Sequence, residues 1–229
     1  NYFLYILYCE INEILSKTLN RTLNKFYSMK KEVYCESKFS KVSKVIKKNS
    51  KVLDIGCSNG ELQDFIPSCK YYGIDINNSV GNREMNFKQV NLNINNIPFK
   101  EEFDYILLLD VLEHLTDPSK TLQDVKSKLS EKGIAIINLP NDYHILNKIR
   151  FLLDKKLQLD PFSNHGHLHI FPIHLGESFL KKQGFKILKK QILEPPQKPK
   201  FIPRFIKEFL AELSPLDLSR GIIYYCKKK

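Results

Sequence analysis

The chain has 229 residues, 42% of them apolar, and a formal charge of +11, which suits one core of ordinary size and a single α/β domain with decorations. Its longest uninterrupted apolar run, Tyr2 to Cys9, falls far short of the roughly 20 residues that span a bilayer, so no transmembrane helix is expected. The charge is uneven: residues 1–50 contribute +6, residues 180–229 contribute +9 and residues 51–179 contribute −4. The basicity therefore belongs to the flanks, where it reads first as a solvated surface and otherwise as an attraction for phosphorylated substrates, nucleic acid or an anionic membrane surface. Cys9, Cys35, Cys57, Cys69 and Cys226 form no CxxC pair and no disulfide-like spacing. With no basic start or small-residue cleavage pattern in the N-terminal run, they point to reduced thiols and a cytoplasmic location.

From Tyr2 to about Lys48, Leu4, Leu7, Ile11, Ile14, Leu15, Leu19, Leu23, Phe26 and Tyr27 recur at steps of three and four, the period of an amphipathic helix. Residues 1–50 are thus predicted to be a helical cap. From Lys51 onward, short apolar runs alternate with helical stretches, the pattern of βαβ units and a parallel sheet. The predicted strands are Lys51–Ile55, Tyr71–Ile76, Phe87–Leu92, Phe103–Leu109, Gly133–Leu139, Phe185–Leu193 and Gly221–Cys226. Helices are expected at Gly60–Ile66, stopped by Pro67, and at Pro118–Leu129, His144–Leu153 and Leu175–Gln183. Asn78–Asn86 is too short and polar for a full helix, so one crossover should be abbreviated. Residues 51–193 and 220–229 form the core of one domain over 1–229, with an insertion at 194–219 between the last two strands.

Lys-Val-Leu-Asp-Ile-Gly-Cys-Ser-Asn-Gly (51–60) is a buried strand running into a glycine turn and then a helix. Gly56 and Gly60 let the backbone turn sharply and a ligand come close, and the helix start presents free N–H groups. Dinucleotide enzymes use GxGxxG there to hold a pyrophosphate. Here the spacing is GxxxG and Asp54 precedes it, an arrangement that repels a diphosphate and suits a cation.

This segment resembles the first motif of class I S-adenosylmethionine-dependent methyltransferases, whose cofactor carries an ammonium and a sulfonium. The resemblance implies a Rossmann-like seven-stranded, mostly parallel sheet with helices on both faces and the last strand antiparallel beside the fifth. It also implies that Asp54, Gly56, Cys57, Ser58 and Gly60 hold the methionine portion. Asp75, 15 residues beyond Gly60 and followed by Ile76, is placed to accept two hydrogen bonds from ribose hydroxyls. Asn91 and Leu92 take the adenine position, with Asn91 where the family often has Asp.

Phe103–Pro118 delivers Asp110, Val111, Glu113 and His114 to the carboxyl edge of the sheet, where open α/β folds bind ligands, with Asp110 and Val111 expected to border the cofactor and His114 the substrate. It is similar to the fourth-strand motif of small-molecule methyltransferases related to the quinone-biosynthesis O-methyltransferases. Asn138–Asn141 and Asn164–Phe171 resemble the substrate cap of the same group and of MetW-like proteins. The resemblance covers about residues 50–193. It implies methyl transfer to a small-molecule acceptor, most simply a hydroxyl oxygen, yielding S-adenosylhomocysteine. Such a transfer needs alignment above all, but an oxygen acceptor must lose a proton, and His114 is the candidate general base.

His165, His167 and His169 would share one face if extended. No local carboxylate or cysteine completes a metal set, so they are expected to face substrate or shape the loop rather than bind metal. Phe201–Leu213 is amphipathic with basic neighbours; it either packs as a lid or gives residues 199–213 a peripheral membrane contact. The split positive charge and the lack of an Asn/Asp-Pro-Pro-Tyr-type motif argue against a nucleic-acid acceptor. The alternative to an enzyme is a cofactor-binding accessory protein acting through a partner.

Overall fold

The computed structural model describes residues 38–81, 83–153, 166–193, 219 and 221–229. The part of the predicted helical cap before Lys38, His165, and the predicted amphipathic segment of the insertion lie outside the described residues.

The sheet is built from β1 (Lys51–Ile55), β2 (Lys70–Asp75), β3 (Asn86–Gln89), β4 (Phe103–Leu109), β5 (Leu129–Pro140), β6 (Phe185–Leu193) and β7 (Gly221–Lys228). Its order is β3-β2-β1-β4-β5-β7-β6. All neighbours run parallel except β7, which is antiparallel to both β5 and β6. The seven-stranded, mostly parallel sheet and the position of the last strand are as the family resemblance implies. β1 and β4 are apolar almost throughout, because both faces of a parallel sheet are covered. Alternate residues feed two cores: Leu53, Ile55, Ile106 and Leu108 point to one side, and Val52, Tyr105, Leu107 and Leu109 to the other. The helical residues 38–43 and the turn after them cover the second side, burying Val42 and Ile46 there.

The helices are α1 (Leu62–Phe65), α2 (Pro118–Lys128), α3 (Ile145–Leu152) and α4 (Ile173–Lys182). α1 is shorter than predicted because Gly60 sits at φ +75° and its N–H turns back to Cys57 O at 2.8 Å, which consumes the first expected turn. α2 has proline at its start and Asp117 as N-cap, whose side chain accepts from the Lys120 N–H at 2.9 Å, a standard stop for an orphan donor. α4 begins two residues earlier than the apolar pattern suggests, directly after Pro172. The described residues between β2 and β3 form no helix, in keeping with the abbreviated crossover. β5 starts at Leu129 rather than Gly133. Its pairing with β4 skips from Phe103↔Leu129 to Tyr105↔Ile134, and glycine is needed in that bulge because a Cβ at Gly133 would lie 2.9 Å from Phe103 O. Among the described residues, no helix is long and apolar enough to cross a membrane.

The strand order reverses between β1 and β4, so the loops leaving their carboxyl ends diverge over opposite faces and open a crevice. That switch point places Gly56 against Val111.

Candidate active site

The loop after β1 owes its shape to three residues in left-handed backbone: Gly56 at φ +73°, Ser58 at +50° and Gly60 at +75°. Glycine is required at Gly56, where a Cβ would lie 2.6 Å from Val111 Cγ2. The N–H groups of Gly56 and Cys57 both donate to Ile74 O, at 2.8 and 3.1 Å, stitching the loop to β2. Asp75 closes the turn: its Oδ2 accepts from the Ser58 N–H at 2.8 Å and its Oδ1 from the Asn77 N–H at 2.9 Å. Asp75 thus fixes the loop while its carboxylate stays at the strand end beside the exposed Ile76.

Two of the predicted loop contacts turn inward. Asp54 is 4% exposed and accepts from the Tyr71 hydroxyl at 2.5 Å, so its charge acts from behind the loop instead of touching a ligand directly. Burial pushes its carboxyl up to about 7 against the pull of Tyr71 and Lys38. The Cys57 side chain is buried against Gly73, where an added Cβ would lie 2.7 Å from Cys57 Sγ and closer still to Met85 Cε. Burial holds that thiol well above its ordinary range.

At the adenine position, β3 ends at Gln89, so Asn91 stands on a turn rather than on a strand. Its Oδ1 accepts from the Asn93 N–H at 3.0 Å, an Asx turn that already engages the oxygen expected to meet an adenine amine. Asn93 instead accepts from Thr116, at its N–H and hydroxyl, and Leu92 packs against the core.

Asp110 directly follows β4 at φ +60°, and both its oxygens are held: Asn138 Nδ2 donates to Oδ1, and Lys38 Nζ sits 2.7 Å from Oδ2. The next residues, Leu112–His114, make one 3₁₀ turn. His114 Nδ1 lies 3.1 Å from Gly166 O. A carbonyl only accepts, so Nδ1 carries the proton and Nε2 keeps the lone pair. His167 repeats this logic, with Nδ1 3.0 Å from both oxygens of Asp142. The two rings meet edge to face at 5.0 Å. Glu113 lies against them, with Oε1 4.0 Å from His114 Nε2. It is fully buried, and neither carboxylate oxygen has a hydrogen-bond partner. Desolvation, with Asp110 and Asp142 nearby, pushes its carboxyl well above the usual range, against the pull of Lys38.

Glu113, His114 and His167 offer ligand atoms all within 4.8 Å of one another, a mixed imidazole and carboxylate set of the kind divalent cations take. This set draws only one member from the histidine tract. The backbone there bends so that the N–H groups of Leu168 and His169 donate to Glu113 O, at 2.8 and 3.1 Å. His167 goes to His114 and Asp142, whereas His169 packs on Phe171 at 6.1 Å. Lys38, Tyr71, Gly73 and Asp142 escape sequence reading. Asp142 had the best signal, following the Asn138–Asn141 stretch at the carboxyl end of β5.

A methyltransferase-domain family profile matches residues 27–190. The chain belongs to that family, the class I S-adenosylmethionine-dependent methyltransferases. Two solved structures show the same fold as this methyltransferase. One is an S-adenosylmethionine-dependent methyltransferase from Archaeoglobus fulgidus (TM-score 0.53, 18% identity, covering 79% of this chain and 86% of that one). The other is the N-methyltransferase NodS from Bradyrhizobium japonicum in complex with S-adenosyl-L-homocysteine (TM-score 0.56, 13% identity, 87% of each chain). By sequence, the methyltransferase is 30% identical over 101 residues to tRNA U34 carboxymethyltransferases of Campylobacter jejuni, covering 38% of this chain and 34% of theirs. It spans about a third of the length of these curated relatives.

Proposed function

We propose that this methyltransferase moves the sulfonium methyl of S-adenosylmethionine to a hydroxyl oxygen of a small molecule, with His114 Nε2 receiving the acceptor's proton. The observation that carries this reading is the convergence of two imidazoles at the end of β4 beside the glycine loop, each fixed through Nδ1 so that Nε2 is the basic nitrogen.

The residues fit the cofactor. The tight turn made by the left-handed Gly56, Ser58 and Gly60 would hold the methionine portion, which Gly56 and Ser58 face from the exposed side of the loop. Asp75 is available to two ribose hydroxyls, since each of its oxygens accepts one N–H and retains a lone pair. The backbone of Asn91 and Leu92 borders the adenine. Asp75 and Asp110 bring carboxylates to the crevice, which suits a donor bearing an ammonium and a sulfonium. The cofactor supplies an already activated methyl group, so the protein's part is alignment and proton removal. Gly166 orients His114, and Asp142 orients His167 beside it. The buried, unpartnered Glu113 favours a neutral site around the proton that His114 takes up.

The test is a methyl-transfer assay with labelled donor against cell extract, followed by His114→Ala on the acceptor it identifies. We expect labelling by the wild type and a loss of about 100-fold or more in kcat for the variant, with S-adenosylhomocysteine binding retained. Cofactor binding with no labelled acceptor under any condition would leave the accessory role instead. The similarity to tRNA U34 carboxymethyltransferases favours a second reading, in which the acceptor is tRNA. Salt-sensitive binding of tRNA by this basic chain would support it.

A further inference from the structure

We propose that Lys38 is a positioning residue of the reacting end: it clamps Asp110 and serves as the tethered counter-cation that sets how strongly the site prefers a sulfonium to a thioether. This rests on the donor pocket described above.

Among the described residues Lys38 is the one buried lysine, at 5% exposure. A buried ammonium is tolerated only when paired, and its partner, Asp110 Oδ2 at 2.7 Å, lies 72 residues away in sequence. The side chain is delivered there by packing rather than by local structure. Val42 and Ile46 anchor the following residues in the second core, the Tyr105 hydroxyl donates to Val45 O at 3.2 Å, and Phe39 stacks near Phe65 at 5.8 Å. Asp110 needs such a clamp. Its left-handed backbone is costly for a side-chain-bearing residue, and Lys38 with Asn138 fixes both carboxylate oxygens. The same ammonium acts on Asp54 and Glu113, lowering the cost of holding negative charge at each. One chain cation thus offsets the carboxylates of the crevice.

Methyl transfer removes one positive charge from the donor: the sulfonium becomes the thioether of S-adenosylhomocysteine. A fixed cation nearby opposes the sulfonium and leaves the thioether almost untouched. Removing it should therefore strengthen binding of donor relative to product.

Binding of S-adenosylmethionine and of S-adenosylhomocysteine is measured by calorimetry for wild type, Lys38→Met and Lys38→Arg, with thermal unfolding alongside. In Lys38→Met the ratio of product Kd to donor Kd should rise about fivefold or more, the order that one unit charge exerts across roughly 15 Å with an effective dielectric of roughly 20. Lys38→Arg should return it to within about twofold of wild type. A ratio unmoved in Lys38→Met, or both affinities falling in parallel with the unfolding temperature, overturns the proposal and leaves Lys38 as a brace for the N-terminal segment. Should Lys38→Met fail to fold, Asp110→Asn provides the opposite perturbation. It must lower the ratio, and an unmoved ratio overturns the proposal equally. A wild type that binds neither compound refutes the donor pocket itself, a different result from an unmoved ratio.

Discussion

The two sides of the crevice are made in different ways. On the donor side, the contacts that shape the loop join residues close in sequence: Ser58 with Asp75 and Tyr71 with Asp54, each pair 17 residues apart. They span one strand-loop-helix-strand unit, whose geometry follows from glycine placement and sheet pairing. On the acceptor side, His114 meets Gly166 across 52 residues and His167 meets Asp142 across 25; between the two sides, Asp110 meets Lys38 across 72. The loop that holds the donor is thus a local motif. Acceptor chemistry depends on several segments arriving together.

If the two sides are separable, substitutions should divide cleanly between cofactor affinity and turnover. The largest effect is expected for Gly56→Ala. Its Cβ would lie 2.6 Å from Val111 Cγ2 at a φ of +73°, so S-adenosylhomocysteine affinity should fall by about 100-fold or more. Adding Val111→Ala should recover part of that loss by removing the collision but not the backbone strain. Calorimetric titration of both variants decides the point.

Next come a donor-side and an acceptor-side substitution read in the same two assays. Asp75→Ala removes the ribose acceptor and the Ser58 latch, and should raise the S-adenosylhomocysteine Kd by about 10-fold or more. Asp142→Asn should instead lower kcat by about 10- to 100-fold, because the amide no longer fixes the His167 tautomer as a carboxylate does. It should leave that Kd within about twofold. If both variants move both quantities together, the division between the sides is wrong.

A smaller effect concerns pH. Asp54 has a folded-state pKa raised from 3.8 to about 7 by burial. Its contribution to stability is therefore complete below about pH 4 and is lost as pH rises through 7. At about 1.4 kcal/mol for each tenfold gain in proton affinity, this amounts to a few kcal/mol at most. Urea unfolding midpoints of the free protein should fall over that window, and Asp54→Asn should flatten the slope. An unchanged slope would show that Asp54 is not the titrating group. The smallest expected effect is at Gly73. Gly73→Ala should destabilise the fold by about 1–3 kcal/mol, and Met85→Ala should restore part of it, since Met85 Cε is the nearest obstacle to the added methyl.

The amino-acid sequence by itself determined the strands and the donor loop, because apolar periodicity and glycine placement act over short distances. It also placed Asp75 and His114 at the right edges. Asn91 was legible as a position but not as a contact, since whether its oxygen is used depends on an Asx turn set by Asn93. The histidine tract suggested three imidazoles on one face. Only the tertiary structure decided that the chain bends to bond Glu113 O, sending His167 to Asp142 and His169 to Phe171. Asp54, likewise, has the same neighbours in sequence whether it lines the pocket or stands behind it. Its burial beneath Tyr71 and the arrival of Lys38 at Asp110 depend on long-range packing, which no local pattern of residue types encodes.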